Sequence, residues 1–453
     1  MNILNKNLCG NRRFRLYLLP SFLIVMIFLV PSCKEKPLPW SILEFSGKGS
    51  VMNYSKSPLL MSYESDSANP TALIARDGDL LMLNDNGVFY YRGMVDQKKF
   101  QFKSTDEADY INGKIVSVNI SKKKNMIPWL SQLNSTDLSK LDFLRVDTLI
   151  TDDHMPWLTE LAKTKPEIGL GYYGGELKDI SRLFKLFNPR FIIGGTIYQK
   201  DYNILSGLDN LELLLVSLED SVSISPLPPM PRLKQLILGD MKNEVMLTND
   251  LLINNKQIEK LTIVNSHTFN FSLISPLVNL KELIINGSDT IENSDLIKNH
   301  RHLEVLSIIS KAFKISNEVN NLPEIRWMSF SSDITQNEFN SFLEKHPDLE
   351  VAEIIKNDTI SSLKSLLNLK KLYGLTITDT LTDYASIKSL KNLKYLSLPD
   401  KFMDDSIKKA EIKGLLPDTK IVANQGFCLG SGWLLLLIPL TLIFSSLRSL
   451  RKT

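Results

Sequence analysis

The chain is poor in the residues that build disulfides and metal sites. Its 453 residues include only three cysteines and five histidines. The cysteines are Cys9, Cys33 and Cys428, so residues 34–427 contain none. That stretch can therefore form neither an internal disulfide nor a thiolate metal site. Its stability has to come from side-chain packing.

An excess of charge of one sign is also lacking. There are 53 basic and 50 acidic side chains, which gives a formal net charge of +3. This balance provides no electrostatic argument for binding nucleic acid or an acidic substrate. A hydrophobic content of 43% is ordinary for a folded protein and argues against a largely disordered chain.

Motifs for catalysis are absent as well. The sequence has no HExxH pattern, phosphate-binding loop or nucleophile elbow. Asp152, Asp153 and His154 could ligate a metal, but three adjacent residues in a repeat loop are more typical of a solvated turn. We therefore predict no catalytic residue, no metal site and no cofactor.

The first apolar run covers residues 16–30 and follows Arg12, Arg13 and Arg15. A basic segment before such a run is typical of an export signal, and the run is short for a membrane-spanning helix. It ends in Val30-Pro-Ser-Cys33, which resembles the end of a bacterial lipoprotein signal. That resemblance implies that residues 1–32 are a signal peptide and that Cys33 is the lipidation site. The alternative is an uncleaved signal anchor with an incidental cysteine.

A second apolar run, residues 427–447, contains no charged side chain. As a helix it would extend about 31 Å, which matches the core of a bilayer. The basic residues Arg448, Arg451 and Lys452 predict that the tail, residues 448–453, is cytoplasmic. We therefore predict a transmembrane helix over 427–447. A buried core helix is one alternative.

The same C-terminal region also resembles a bacterial sorting signal. The short segment Cys428-Leu-Gly-Ser-Gly432 precedes the apolar run, and a basic cluster follows it. This second interpretation implies that the tail is removed and that the protein is displayed at the cell surface.

Residues 33–124 contain a short tether and then several runs with strand character. Turn signals separate these runs at Asp77-Gly78, Asn86-Gly87 and Asn112-Gly113. They predict a small antiparallel β domain, which we expect to shield the first unit of the region that follows. A hydrolase activity in this β domain is the alternative from a different functional class.

From residue 125 to 424 one apolar core recurs. Leu280, Leu283 and Ile285 form an LxxLxL-type core of this kind. The intervals between units range from 20 to 27 residues and average about 23. The first core residues are Leu141, Ile168, Phe191, Leu211, Leu233, Ile258, Leu280, Leu303, Ile325, Leu349, Leu372 and Leu393.

This pattern resembles the leucine-rich repeat family, whose repeats span about 20–29 residues and place one short strand in each unit. The resemblance implies an α/β solenoid, a horseshoe of about 12 units preceded by the small antiparallel β domain. The second and third units carry Gly171 and Gly194 at the middle core position. Thr335 and Glu338 form a capping-box pattern that predicts a returning helix. Residues 415–424 are predicted to add a last strand.

Residues between the core positions are predicted to face outward on the concave side, where such repeats usually bind. They are mostly neutral, with scattered apolar and aromatic side chains, which suits a protein or peptide better than a polyanion. Aromatic side chains often dominate the energetics of an interface, which favours Trp327 and Tyr395 as hot spots. The candidate binding residues are Trp327, Tyr395, Glu282, Ile284, Asn286, Ser307, Ser329 and Thr376.

These patterns favour a non-catalytic, membrane-anchored binding scaffold of the bacterial cell envelope. The bulk of the chain would lie outside the cytoplasm, on the periplasmic side, and would bind a protein or peptide but no nucleic acid. One alternative is a surface-displayed adhesin with a cleaved C-terminal sorting signal. Another is a eukaryotic type I ectodomain, which several Asn-x-Ser/Thr triplets would permit.

Overall fold

The computed structural model describes most of residues 102–424 and, before them, the backbone of six strands. The predicted export signal, the apolar segment 427–447 and the tail 448–453 lie outside the described residues. Among the helices that the structure describes, none is both long enough and apolar enough to cross a bilayer. Gaps within 102–424 fall at 106, 112, 122–125, 135, 142, 173–174, 220–225, 240–246, 265, 332–333, 356, 379–382 and 394.

The six early strands pair into two small antiparallel sheets of three strands each. Each sheet pairs strands that follow one another in the chain; Asn84 at the end of β5, for example, pairs with Gly87 at the start of β6. The first sheet contains β1 (Trp40–Glu44), β2 (Ser50–Tyr54) and β3 (Ser62–Glu64). The second contains β4 (Thr71–Ile74), β5 (Leu80–Asn84) and β6 (Gly87–Tyr91).

One sheet of 16 strands dominates the described part of the chain. It opens with an antiparallel segment: β7 (Phe102–Ser104), β8 (Ala108–Ile111) and β9 (Lys114–Ile120). From β9 onward all neighbours pair in parallel. These strands are β10 (Phe143–Val146), β11 (Gly169–Tyr172), β12 (Phe191–Ile197), β13 (Leu213–Leu218), β14 (Gln235–Gly239), β15 (Lys260–Val264), β17 (Glu282–Asn286), β19 (Val305–Ile309), β20 (Trp327–Phe330), β21 (Val351–Ile354), β22 (Gly374–Ile377), β23 (Tyr395–Pro399) and β24 (Lys420–Asn424). A separate pair is formed by β16 (Thr268–Asn270) and β18 (Thr290–Glu292).

The parallel strands follow one another in chain order at the spacing of the recurring cores. A large parallel sheet with one strand per turn of the chain fits the predicted leucine-rich repeat solenoid. The last strand predicted within 415–424 is present as β24, which pairs with β23. The sheet also extends before residue 125, because β9 pairs in parallel with β10. The exact number of units and the boundary at residue 124 stay predictions.

Successive side chains along each strand point to opposite faces of the sheet, so one face carries the core residues and the other does not. In β17, Leu283 and Ile285 point inward, and Leu283 lies between Leu261 and Leu306 in the register. Leu280, Leu283 and Ile285 are fully buried in the larger of two core clusters. Each unit thus completes its core with side chains from both neighbours.

The register of the second and third units differs from the prediction. Leu170 pairs with Leu144, and Ile192 pairs with both Leu170 and Leu214. Leu170 and Ile192 therefore take the middle core positions that we assigned to Gly171 and Gly194, and those two assignments are wrong. The β12–β13 register shifts between Ile193 and Thr196, where Gly194 and Gly195 adopt positive φ values of 87° and 83°. Such a bulge needs glycine, and the sequence period does not show it.

The predicted returning helix after Thr335 is present. The Thr335 side chain accepts a hydrogen bond from the backbone of Glu338, and the Glu338 side chain accepts one from the backbone of Thr335. The described α-helices are α1 (Met126–Leu130), α2 (Met155–Thr164), α3 (Ser181–Leu186), α4 (Gln336–Lys345), α5 (Tyr384–Ile387), α6 (Asp400–Met403) and α7 (Ser406–Leu415). Short 3₁₀ helices serve other units, at Asp137–Lys140, Asp152–His154, Leu177–Ile180, Gln199–Leu205, Phe271–Ile274, Ser294–Asn299, Val319–Asn321 and Lys364–Asn368.

Leu283→Ala is expected to destabilise the middle of the solenoid locally. Leu283 is fully buried, and its removal leaves a cavity that costs about 2–5 kcal/mol. Each unit contacts its neighbours, so the loss should be concentrated in β15, β17 and β19. Hydrogen exchange read by mass spectrometry would show it, with Val278→Ala, at an exposed position, as the control. Equal effects of the two substitutions would contradict the assignment.

Candidate recognition surface

The side of the sheet opposite the core clusters carries two rows of side chains. We call it the alternate face; it is the side that the sequence analysis expected to be concave. The first row passes through Val305, Trp327 and Val351, which pair across β19, β20 and β21. The second row runs through residues that pair in the same way: Thr262, Ile284, Ser307, Ser329, Glu353, Thr376 and Ser397.

The structure brings the predicted binding residues together but does not expose them. Trp327, Ser307 and Ser329 are 0% exposed. Thr376, Ile284 and Glu282 are also buried, and Asn286 at the end of β17 is half-buried. Tyr395 begins β23, where its backbone pairs with that of Gly374.

The expectation that Trp327 and its neighbours are solvent-exposed is therefore wrong. Alternation along a strand decides which side chains share a face, but it does not reveal what lies over that face. Whether these residues bind a ligand stays a prediction.

A polar chain crosses three strands in the middle of the second row. The Ser329 hydroxyl lies 2.8 Å from the Ser307 hydroxyl and 2.5 Å from Oε2 of Glu353. Burial raises the pKa of Glu353 to about 8, although hydrogen bonds with the Ser329 and Trp327 side chains oppose that rise. Glu353 is therefore mostly neutral at pH 7, and its carboxyl group can donate as well as accept a hydrogen bond.

The charged residues on this face near β17 are paired. Nζ of Lys260 lies 3.0 Å from Oε1 of Glu282, and the two residues are register partners on β15 and β17. Their side chains are 9% and 5% exposed. A buried pair of opposite charges adds no net charge, so this part of the face offers hydrogen bonds and apolar contacts rather than an electrostatic field.

A ladder of side chains with alternating charge, one per unit, runs beside the sheet and was not among the predicted features. From Glu212 to Glu350, the residue that follows the first core position changes sign from one unit to the next. Nζ atoms of Lys234 and Lys281 each lie 2.6 Å from a carboxylate oxygen of Glu259. The signal was available in the sequence, at one residue per repeat: Glu212, Lys234, Glu259, Lys281, Glu304, Arg326 and Glu350.

The two lysines control the ionisation of Glu259. Partial burial alone would raise its pKa, but hydrogen bonds and attraction from Lys234 and Lys281 outweigh that effect and lower the pKa to about 2. A group with a folded-state pKa below its ordinary value of 4.5 stabilises the fold above pH 4.5. That stabilisation is lost as the pH falls from about 4.5 to about 2.

Glu259→Gln is expected to lower the free energy of unfolding at pH 7 by about 1 kcal/mol, because the network is partly exposed and screened by solvent. At pH 2 the variant and the wild type should be equally stable. Denaturant unfolding at both pH values would measure this difference, with Glu344→Gln on an exposed side chain as the control. A difference that persists unchanged at pH 2 would contradict the ion-pair explanation.

His154 and Asp152 have structural partners. Nδ1 of His154 lies 2.8 Å from the Thr151 hydroxyl, and burial lowers the pKa of this imidazole. Asp152 pairs with Arg182 at 2.7 Å. Within the part of the chain that the structure describes, no group of three or more His, Cys, Asp and Glu side chains is placed to hold a metal.

Comparison with known proteins finds solved structures of low sequence identity that are similar to parts of the chain. No family model and no curated protein match the chain. An internalin from Listeria monocytogenes is 18% identical, with 70% of this chain and 84% of that chain covered and a TM-score of 0.38. A leucine-rich repeat protein of Leptospira interrogans is also 18% identical, with 67% and 100% covered and a TM-score of 0.34.

A third solved structure is TLR13 in a complex with ssRNA13. It is 17% identical to this chain, with 68% of this chain and 51% of that chain covered and a TM-score of 0.36. The chain therefore spans about half the length of TLR13. These neighbours are leucine-rich repeat proteins.

Proposed function

We propose that the chain is a non-catalytic recognition scaffold that binds a protein or peptide through the alternate face. The observation that carries this proposal is the row of side chains that continues from Thr262 on β15 to Ser397 on β23, with the shorter apolar row of β19 to β21 beside it. Regularly spaced rows of this kind match the extended surface of a polypeptide better than the enclosed cavity that a small molecule needs.

The chemistry of the rows supports a polypeptide ligand. Val305, Trp327 and Val351 form an apolar strip, and an aromatic residue in such a strip is a common anchor of interfaces. The chain has a formal net charge of only +3, so it lacks the strong positive charge that attracts a polyanion.

The proposal includes a place for the protein in the bacterial cell envelope. Lipidation at Cys33 and a membrane-spanning helix over 427–447 would tether the solenoid at both ends of the chain. The solenoid would then lie on the periplasmic side and the tail, 448–453, in the cytoplasm. The support for this arrangement is the pattern of the sequence: two apolar runs with flanking basic residues.

Proximity labelling in the native host would test recognition. We expect a set of proteins labelled by the wild type to be lost with Trp327→Ala and kept with Leu367→Ala, a change at an exposed position 45% accessible to solvent. Because Trp327 is buried, Trp327→Phe and a melting curve of each variant have to show that the fold survives. Identical labelling by all folded variants would contradict binding through this face.

Metabolic labelling with palmitate would test the anchor separately. The wild type is expected to take up the label, and Cys33→Ala is expected to lose it, because acylation needs the thiol. Cys428→Ala serves as the matched control. Equal labelling of the wild type and Cys33→Ala would contradict lipidation at Cys33 without bearing on the proposed ligand.

A further inference from the structure

The alternate face is buried, although it is not part of the solenoid core. The two described core clusters contain the inward residues of the strands, such as Leu283 and Met328. Ile284, Val305 and Trp327 point to the other side and yet are 3%, 1% and 0% exposed. A side chain on the open side of a sheet is buried only when something lies over it. We therefore looked for a segment of the same chain that reaches this face.

The two small sheets formed by β1 to β6 touch both ends of the large sheet. Strand β6 lies against β9, β10 and β11, near the N-terminal end. Strand β3 lies against β24, the last strand at the other end. These two strands are close in sequence, because β3 ends at Glu64 and β6 begins at Gly87. One short stretch of chain therefore reaches the first and the last strands of the solenoid.

The residue types at the N-terminal contact permit a close approach. Strand β11 carries Gly169 and Gly171 at positions where most other strands of the sheet place larger side chains. Glycine within a strand often marks a site where another backbone approaches closely. Strand β6 lies against this strand.

Neither the small sheets nor the apolar strip is expected to be stable when exposed to water. A sheet of three strands with three to five residues each needs an apolar face packed on another element. Strands β4, β5 and β6 read TALI, LLMLN and GVFYY, so they are rich in apolar residues. Packing the small sheets on the alternate face would remove both apolar surfaces from water at once.

We propose that the strands β1 to β6 form an intramolecular cover docked on the alternate face of the solenoid. The cover occupies the face in the free protein. If the proposed recognition function holds, a protein ligand has to displace this segment or extend it. Occupation by the chain itself does not depend on that function, because it concerns the free protein alone.

Photo-crosslinking in the purified full-length chain tests the cover. Trp327→p-benzoylphenylalanine replaces one large aromatic side chain by another, and Ile284→p-benzoylphenylalanine places the same group on the second row. Leu367→p-benzoylphenylalanine, on an exposed part of the solenoid, is the matched control. Mass spectrometry identifies the cross-linked peptides, and melting curves show which variants keep the wild-type fold.

The proposal expects cross-links within one chain from positions 327 and 284 to peptides that contain residues of β1 to β6, and none of these from position 367. Cross-links to residues 427–447 or to a second copy of the chain would overturn it, because another segment would then be the cover. Folded variants without cross-links at 327 and 284 would overturn it as well. The cross-linking result does not decide the recognition function, because the proximity-labelling experiment tests that function separately by comparing labelled proteins in the host.

Discussion

Glu353→Gln is expected to remove a large loss of stability that the wild type shows as the pH rises from about 4.5 to about 8. Glu353 is fully buried, and its pKa is raised from 4.5 to about 8. Between these values the unfolded chain releases a proton that the folded chain keeps, so the unfolded state is favoured as the pH rises. A shift of this size corresponds to a few kcal/mol, on the order of 3–5.

Glutamine is a suitable replacement because it stays neutral and keeps an oxygen that can accept a hydrogen bond from Ser329. We therefore expect the variant to be about as stable as the wild type at pH 4.5 and more stable at pH 8.5. Hydrogen exchange at β20, β21 and β22 across that pH range would measure the difference. Glu344→Gln, at an exposed position, should leave the pH profile unchanged.

If the stability of the wild type did not change between pH 4.5 and 8, that result would contradict the burial of a neutral Glu353. The same measurement bears on the proposed cover, because burial is the largest cause of the raised pKa. If the alternate face were open to water, Glu353→Gln and Glu344→Gln would behave alike.

Phe330→Ala is expected to have the largest effect on the packing between the sheet and its outer helix. The Phe330 ring meets the rings of Phe339 and Phe342 edge to face, with centroid distances of 4.8 and 5.4 Å. All three side chains are 0% exposed. Truncation of a buried phenylalanine costs about 3–5 kcal/mol. Two lost aromatic contacts favour the upper part of that range.

The loss should be greatest in β20 and α4, because Phe330 connects them, and it should decline over neighbouring units. Hydrogen exchange by peptide would measure this gradient, and Leu367→Ala, at an exposed position, provides the control. A uniform loss along the whole sheet would indicate that the array unfolds as one cooperative unit. A loss below about 1 kcal/mol would contradict the packing assignment.

The fold was largely predictable because its signal repeats. The inward positions of unit after unit are aliphatic or aromatic, and the resemblance to leucine-rich repeats predicted one short strand in each unit, as at β17 and β19. The capping pair Thr335 and Glu338 likewise predicted where α4 begins. The predicted register failed at Gly171 and Gly194; at Gly194 a positive φ accompanies the shift of the β12–β13 register.

The sequence predicted which residues of the candidate site share a face, but it did not predict that they are buried. Period-2 alternation correctly grouped Ser307 and Ser329 on one face of adjacent strands. It gave no indication that Glu353 would be fully buried with a raised pKa. The charge ladder through Lys234, Glu259 and Lys281 was readable in the sequence, since it recurs once per unit.

The sequence by itself determined the repeating core, one strand in each unit and which side chains of most strands share a face. These properties are local or nearly so, because each unit packs only on its neighbours. The tertiary structure decided the burial of the alternate face, the ionisation of Glu353 and the contacts of β3 and β6 with opposite ends of the large sheet. Those properties depend on segments far apart in the chain, and no periodic pattern of residues encodes such contacts.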